Sequence, residues 1–223
     1  MAGRTHQDKA KDRATVKALL DAEGHTYAED AGIKMKNTPQ PLYQALVAAC
    51  LLSARIKASV ATAAAHELFT AGMRSPRRMC EATWQQRVDA LGKGHYRRYD
   101  ERTATQLGEG AQLLLDRYGG DLRRLRDEAS KDPDELRRAL RRIPGLGPVG
   151  VDIFLREVQA VWPEVGPLFD RKALDGARRL GLPENPKALA ALVPRDAHAV
   201  FAAALVRAAL DRQVVDEVVQ ARG

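Results

Sequence analysis

The stretch Ile143-Pro-Gly-Leu-Gly-Pro-Val-Gly-Val-Asp152 decides the fold of this chain. A helix should end before the first proline and another can begin at the second, because proline fits only the first turn of a helix. Gly145 and Gly147 carry no side chain and can take positive φ, which allows a tight hairpin with open backbone amides. Open amides beside a helix N-terminus favour an anion. The stretch therefore predicts two helices joined by a hairpin that can hold a phosphate.

Helix signals flank this hairpin on both sides. Asp132 offers a side-chain acceptor at an N-cap position, Pro133 suits the first helical position, and Glu135 suits the third. Apolar residues then recur at helical spacing, so the two helices can pack across the hairpin. These residues are Leu136, Leu140, Ile143, Val151, Phe154, Leu155 and Val158. We expect a helix-hairpin-helix over residues 132–158, although two glycines between helices can also mark an ordinary connection.

Asp170 begins another helical stretch and is followed by Arg171-Lys-Ala-Leu174. An aspartate in this position commonly caps the helix, and its carboxylate is then fixed in direction. A fixed, ionised carboxylate can also stabilise positive charge that develops on a sugar, and it can orient a water. Asp170 is therefore a predicted N-cap and a candidate catalytic residue, and the two roles are compatible.

At these residues the chain resembles the helix-hairpin-helix DNA glycosylases of the endonuclease III type. Ile143-Pro-Gly-Leu-Gly147 matches the family's leucine-proline-glycine-valine-glycine hairpin, and Asp170 corresponds to its essential aspartate. The segment Leu42–Ala54 resembles the family's apolar helix, which ends in leucine-leucine-serine-alanine. The segment Ala90–Tyr96 resembles its glycine-containing turn before a helix. The resemblance covers about residues 40–210.

The resemblance implies an all-α fold of two helical subdomains, with double-stranded DNA bound in the cleft between them. Residues 40–165 would form the central subdomain, which contains the helix-hairpin-helix at 132–158. Residues 14–39 and 166–223 would form the second, and residues 1–13 would be a mobile basic tail. The implied activity is base excision repair, in which the N-glycosidic bond of a damaged or mispaired base is hydrolysed after the base has rotated out of the duplex.

The resemblance also implies a set of DNA contacts around the hairpin. Arg55 stands where relatives often carry a glutamine that enters the gap left by the rotated base. An arginine there either fills this gap or contacts a phosphate as a surface residue. Lys172, two residues after Asp170, is a further expected DNA contact. The hairpin itself would bind phosphate through Gly145, Leu146, Gly147, Val149 and Gly150.

One departure from the family's pattern bears on the type of reaction. Bifunctional members place a lysine two residues after the last hairpin glycine and use its amine to form a Schiff base. Val149 occupies that position here, which implies a monofunctional glycosylase that leaves an intact abasic site. Its more natural substrates are alkylated purines, uracil, hypoxanthine or mispaired bases. A bifunctional enzyme with a relocated lysine, such as Lys172, Lys57 or Lys93, stays open, as does a noncatalytic DNA-binding protein on this scaffold.

Composition is compatible with this hypothesis. The 223 residues include 36 Lys and Arg against 29 Asp and Glu, and the net charge of +7 suits a polyanionic partner. The four thiolates of the family's iron–sulfur cluster are lacking, since no cysteine follows Cys80, and we expect neither cofactor nor metal site. No apolar stretch is long enough to span a membrane. We expect a monomeric, cytoplasmic, nucleoid-associated protein.

Aromatic and basic residues alternate after the glycine turn, where Tyr96 and Tyr99 are interleaved with Arg97, Arg98 and Arg102. These residues can line a DNA-binding surface, as aromatic and cationic groups do in other nucleic-acid binders. The two tyrosines can equally pack their helix against its neighbours.

Overall fold

Helices make up the regular structure of this protein, for which a computed structural model describes residues 6–130 and 132–222. No strand occurs within these ranges, so the predicted all-α fold is confirmed. The helices are α1 (His6–Glu23), α2 (Tyr27–Asp30), α3 (Pro39–Leu52), α4 (Ala58–Thr70), α5 (Pro76–Glu81), α6 (Trp84–Lys93), α7 (Asp100–Tyr118), α8 (Leu122–Glu128), α9 (Pro133–Leu140), α10 (Pro148–Val158), α11 (Arg171–Leu180), α12 (Pro186–Ala190), α13 (His198–Leu210) and α14 (Arg212–Ala221), with short 3₁₀ helices at Pro163–Val165 and Arg195–Ala197.

The chain forms two units. The central unit spans Tyr27–Glu164, and the terminal unit combines the residues up to Thr26 with those from Val165 onward. Helices α2 to α10 belong to the central unit, and α1 with α11 to α14 belong to the terminal unit. Within the described residues, no helix is both long and apolar enough to cross a membrane.

Residues 27–39 fold with the central unit, and not with the chain ends as the resemblance implied. The amide of Ala28 donates a buried hydrogen bond of 2.9 Å to Glu157 Oε2 on α10. The guanidinium of Arg156 lies 5.4 Å from the centroid of the Tyr27 ring. Side chains on α10 therefore hold residues 27 and 28 against the central unit. Contacts between residues so far apart in the chain cannot be predicted from local sequence patterns.

Helix α1 begins at His6, so residues 6–13 of the tail expected over residues 1–13 are helical. One face of the helix packs on α13 and α14, with Val16 and Leu19 buried. Residues 6–13 resemble a tail in sequence because the first two turns of the helix are rich in charge and show little apolar periodicity. Residues 1–5 lie outside the described part of the chain.

The core of the central unit is organised around α3. This helix is apolar on nearly all sides, and it packs against α4, α8 and α10. At Gly150, on the first turn of α10, a Cβ atom would lie 2.9 Å from Leu146 Cδ1 and 3.5 Å from Ser53 Cβ. The missing side chain allows the hairpin and the residues after α3 to approach α10 closely.

The terminal unit is built on close packing between α11 and α13. A Cβ atom on Gly176 would lie 1.8 Å from the carbonyl oxygen of Leu205, so only glycine permits this crossing. The ring of Phe169 packs edge-on against Phe201, with centroids 5.7 Å apart. Because Phe169 is buried and α11 is fixed against α13, the intervening residue, Asp170, is held from both sides.

Candidate functional site

The hairpin between α9 and α10 has the flanking helices that the sequence predicts. The Asp132 carboxylate caps α9 and accepts from the amides of Asp134 at 3.0 Å and Glu135 at 2.9 Å. Helix α9 ends at Leu140, and α10 starts at Pro148, the second proline of the quoted stretch. The turn is thus held between two well-defined helix ends.

The two hairpin glycines have different backbone conformations. Gly145 has φ of +82°, the left-handed region that favours glycine. Gly147 has φ of −75° and ψ of −179°, which any residue adopts, so the positive φ considered for it does not occur. A Cβ atom on Gly147 would nevertheless have no neighbour within 4 Å. Gly147 therefore leaves open space in front of the turn, while Gly145 makes the turn possible.

Leu146 closes the turn from inside. Its amide donates to the carbonyl oxygen of Ile143 at 3.1 Å, and its side chain is 2% exposed. The family resemblance implies that Leu146 contacts a phosphate, but its N–H is already bonded within the protein. Its role in the structure is to anchor the hairpin on the core.

Four other amides of the hairpin have no acceptor within the described part of the chain. They belong to Gly145, Gly147, Val149 and Gly150. The last two lie in the first turn of α10, where amides have no intrahelical partner and the helix dipole is positive. The side chain of Val149 is 60% exposed, so it does not seal this end of the helix. Together these donors form a site suited to a phosphate or another anion.

A side-chain bond joins the two helices of the hairpin. The Arg137 guanidinium on α9 pairs with the Asp152 carboxylate on α10. The sequence does not predict this pairing, because residues fifteen apart give no periodic signal. The structure makes it part of the framework that fixes the angle between the helices.

An open pocket of about 660 Å³ lies beside the hairpin within the central unit. Gly145, Leu146 and Gly147 contribute to one part of its wall, and Arg55, whose side chain is exposed, contributes to another. The structure thus brings the predicted residue Arg55 together with the predicted hairpin. Further lining residues were not proposed as site residues from the sequence; they include Gln106, Arg141 and Arg142.

The two tyrosines after the glycine turn both line this pocket. Tyr96 is 1% exposed, its hydroxyl oxygen accepts a hydrogen bond of 3.5 Å from Thr103 Oγ1, and burial raises its pKa. Tyr99 is half-buried, with the Arg98 guanidinium 5.2 Å from its ring centroid. Tyr96 therefore packs the core beneath the pocket, while Tyr99 offers part of its ring at the surface.

Asp170 and Lys172 belong to the terminal unit. The Asp170 carboxylate caps α11 and accepts from the amide of Ala173 at 2.9 Å, as the sequence predicts for an N-cap. The residue is half-buried. Lys172 lies in the first turn of α11, and its ammonium is 3.8 Å from the Asp175 carboxylate. The carboxylate of Asp170 is therefore held in a defined direction, and the neighbouring lysine is paired with an acid.

The cysteines of this chain do not fit an iron–sulfur cluster. Such a cluster needs four thiolates, and the sequence contains Cys50 and Cys80 alone. Burial raises the pKa of the Cys50 thiol to about 12, so this sulfur stays protonated at neutral pH. Among the described residues, no group of three or more His, Cys, Asp or Glu side chains is placed to hold a metal ion.

Comparison with known proteins identifies the fold. No family model matches the chain, and no curated protein matches it. Solved structures do match, among them a trapped endonuclease III–DNA covalent intermediate, described as an estranged-adenine complex, and a non-covalent endonuclease III–DNA complex. Each match has a TM-score of 0.53 and 18% sequence identity, and covers 89% of this chain and 84% of the other. This protein has the endonuclease III-like helix-hairpin-helix fold.

Proposed function

We propose that this protein is a DNA glycosylase of base excision repair, which hydrolyses the N-glycosidic bond of a damaged or mispaired base in double-stranded DNA. The observation that carries the proposal is the placement of Asp170 as a fixed N-cap carboxylate, within a fold shared with endonuclease III. The open amides of the hairpin add a phosphate site of the kind that a DNA-binding enzyme needs. We further propose that it acts as a monomer on genomic DNA, in the cytoplasm and associated with the nucleoid.

Asp170 is the proposed catalytic residue. Breaking the bond between base and deoxyribose builds positive charge on the sugar, and an ionised carboxylate nearby lowers the energy of that state. The same group can accept a proton from the attacking water. Since the Ala173 amide holds one carboxylate oxygen, the side chain stays aimed without reorganising during the reaction.

The reaction is proposed to stop at the abasic site. Strand cleavage through a Schiff base requires an amine at the sugar, and Val149 offers none on the first turn of α10. Lys172 is the nearest lysine in sequence to Asp170, and its ammonium is attracted by Asp175. Both observations support a monofunctional enzyme over one that uses a relocated lysine.

Arg55 is proposed to occupy the gap that the rotated base leaves in the duplex. It follows the C-terminal end of α3, its side chain is exposed, and it lines the pocket beside the hairpin. A planar guanidinium can stack between bases and can donate to base edges. Arg55→Ala should therefore reduce excision from duplex DNA more than from single strands, whereas equal losses would assign Arg55 to a phosphate.

Base release tests the proposed function. Duplexes that carry alkylated, deaminated, oxidised or mispaired bases are incubated with the protein, and strand breaks are measured before and after alkali. Breaks that appear only after alkali, and that Asp170→Asn abolishes, are the expected result. Breaks without alkali would contradict the monofunctional assignment. Binding to these duplexes with no base released from any of them would favour a noncatalytic DNA-binding protein.

A further inference from the structure

Arginines are concentrated around the pocket beside the hairpin. Four of them contribute to its wall, and all four side chains are exposed. They are Arg55, Arg102, Arg141 and Arg142. The described lining residues include no aspartate or glutamate. We call this the arginine pocket. All the charged side chains described in its lining are positive.

These arginines also differ from many others in the chain in having no ion-pair partner. Within the described residues, no carboxylate lies within salt-bridge distance of any of the four. By contrast, Arg126 pairs with Glu164, and Arg138 pairs with Glu135. Like charges held around one opening repel each other, and the repulsion is relieved when an anion enters. The arrangement is suited to an anionic ligand.

The hairpin backbone contributes to the same pocket. Gly145 and Gly147 both line it, and their amides have no acceptor within the described residues. Guanidinium groups bind phosphate well because they can donate two parallel hydrogen bonds to it. Free backbone amides at a helix N-terminus bind phosphate because they donate hydrogen bonds and the helix dipole is positive there. A volume of about 660 Å³ falls in the range of sites that hold drug-sized molecules, so it exceeds the needs of a single phosphate.

We propose that the arginine pocket binds the sugar–phosphate backbone of one DNA strand next to the phosphate held by the hairpin. Arg141 and Arg142 contact a neighbouring phosphate, while Arg55 keeps the role proposed for it above. This inference rests on the proposed function only in taking DNA as the ligand. Arg141 and Arg142 follow α9 directly and precede the hairpin, so their backbone is held in place by the end of α9 and by the turn. Arg102, on α7, lines the pocket from a different element and can contact the strand there.

The salt dependence of DNA binding tests the proposal. Each phosphate contact that is lost reduces the slope of log K against log salt by about one. We expect Arg141→Gln and Arg142→Gln to reduce the slope by about one each and the double variant by about two, with equal weakening on undamaged and lesion-containing duplexes. The matched control is Arg77→Gln, an exposed arginine on α5 that does not line the pocket, and it should keep the wild-type slope.

Two results would overturn the proposal. One is a slope for the double variant equal to that of Arg77→Gln. The other is an unchanged slope with a loss confined to the lesion-containing duplex, which would assign the arginines to base edges. Binding is measured in the Asp170→Asn background, so no turnover enters the result. Base release by the protein with native Asp170 is measured separately, and a failure of the glycosylase proposal is thereby distinguished from a failure of this one.

Discussion

Arg137 and Asp152 form an ion pair that joins α9 to α10 across the hairpin. Both side chains are partly exposed, at 32% and 40%, so the pair itself contributes on the order of 0.5 kcal/mol or less to stability. Its importance lies in geometry. The open amides belong to the turn between these helices and to the start of α10, and the pair restrains the angle at which the helices meet.

Breaking this pair should weaken DNA binding. Asp152→Asn removes a negative charge, which by electrostatics alone would tighten binding to a polyanion. We nevertheless expect a several-fold weaker affinity for duplex DNA with little change in unfolding, because the hairpin loses a restraint. Glu135→Gln is the matched control, since it also removes one negative charge, breaks a pair with Arg138 inside α9 and leaves the two helices joined. An affinity for Asp152→Asn equal to or above the native value would contradict this role.

The two hairpin glycines give opposite expectations. Gly145→Ala places a side chain at φ of +82° and 3.2 Å from Gln106 Cβ, and it should lower the free energy of unfolding by about 1–2 kcal/mol. Gly147→Ala meets no neighbour and an ordinary backbone, so the fold should be unaffected. Its methyl group would occupy the space in front of the amides and weaken DNA binding. Thermal unfolding and DNA affinity, measured for both variants, test these two expectations. A native DNA affinity in Gly147→Ala would count against the anion site.

Gly176→Ala should disrupt the terminal unit. The added Cβ would lie 1.8 Å from the Leu205 carbonyl oxygen, so α11 and α13 must move apart, at a cost of about 3 kcal/mol or more. Gly92→Ala is the matched control in α6, where nothing lies within 4 Å and alanine should stabilise the helix by about 0.5–1 kcal/mol. Denaturant unfolding separates the two, and a near-native midpoint for Gly176→Ala would refute the close crossing.

Borohydride trapping should give no covalent complex between the native protein and DNA with an abasic site, because no lysine occupies position 149. Val149→Lys places an amine on an exposed site in the first turn of α10 and should give a trapped complex. A trapped native protein would contradict the expectation. Loss of that complex in Lys172→Gln would then identify Lys172 as the relocated nucleophile.

Local signals in the sequence predicted the parts of the site that depend on local chemistry. Asp132 before Pro133 marks the start of α9, Pro148 marks the start of α10, and Asp170 marks the start of α11. Each is a cap or a proline whose effect extends over about one helical turn. Such signals therefore identify helix ends and the hairpin between them without knowledge of the rest of the fold.

The parts that were missed depend on contacts between distant segments. Asp152 gives no sign in sequence that Arg137 will be its partner, and Leu146 gives no sign that its amide will be bonded to Ile143. The arginine pocket gathers residues from segments far apart along the chain, so no spacing rule brings them together. Residues 6–13 were expected to be a tail for a related reason, because tertiary packing on α13 and α14 stabilises a helix whose first turns look like a charged tail.

The most direct test of the account compares the native protein with Asp170→Asn on the best substrate from the panel. Asparagine is as good an N-cap as aspartate, so α11 and the fold should be preserved, which a melting curve verifies. We predict that the single-turnover rate of base release falls by a factor on the order of 10³ or more, the size expected for losing a group that stabilises the transition state, while DNA affinity stays within a few-fold. Base release by Asp170→Asn at the native rate would contradict the account.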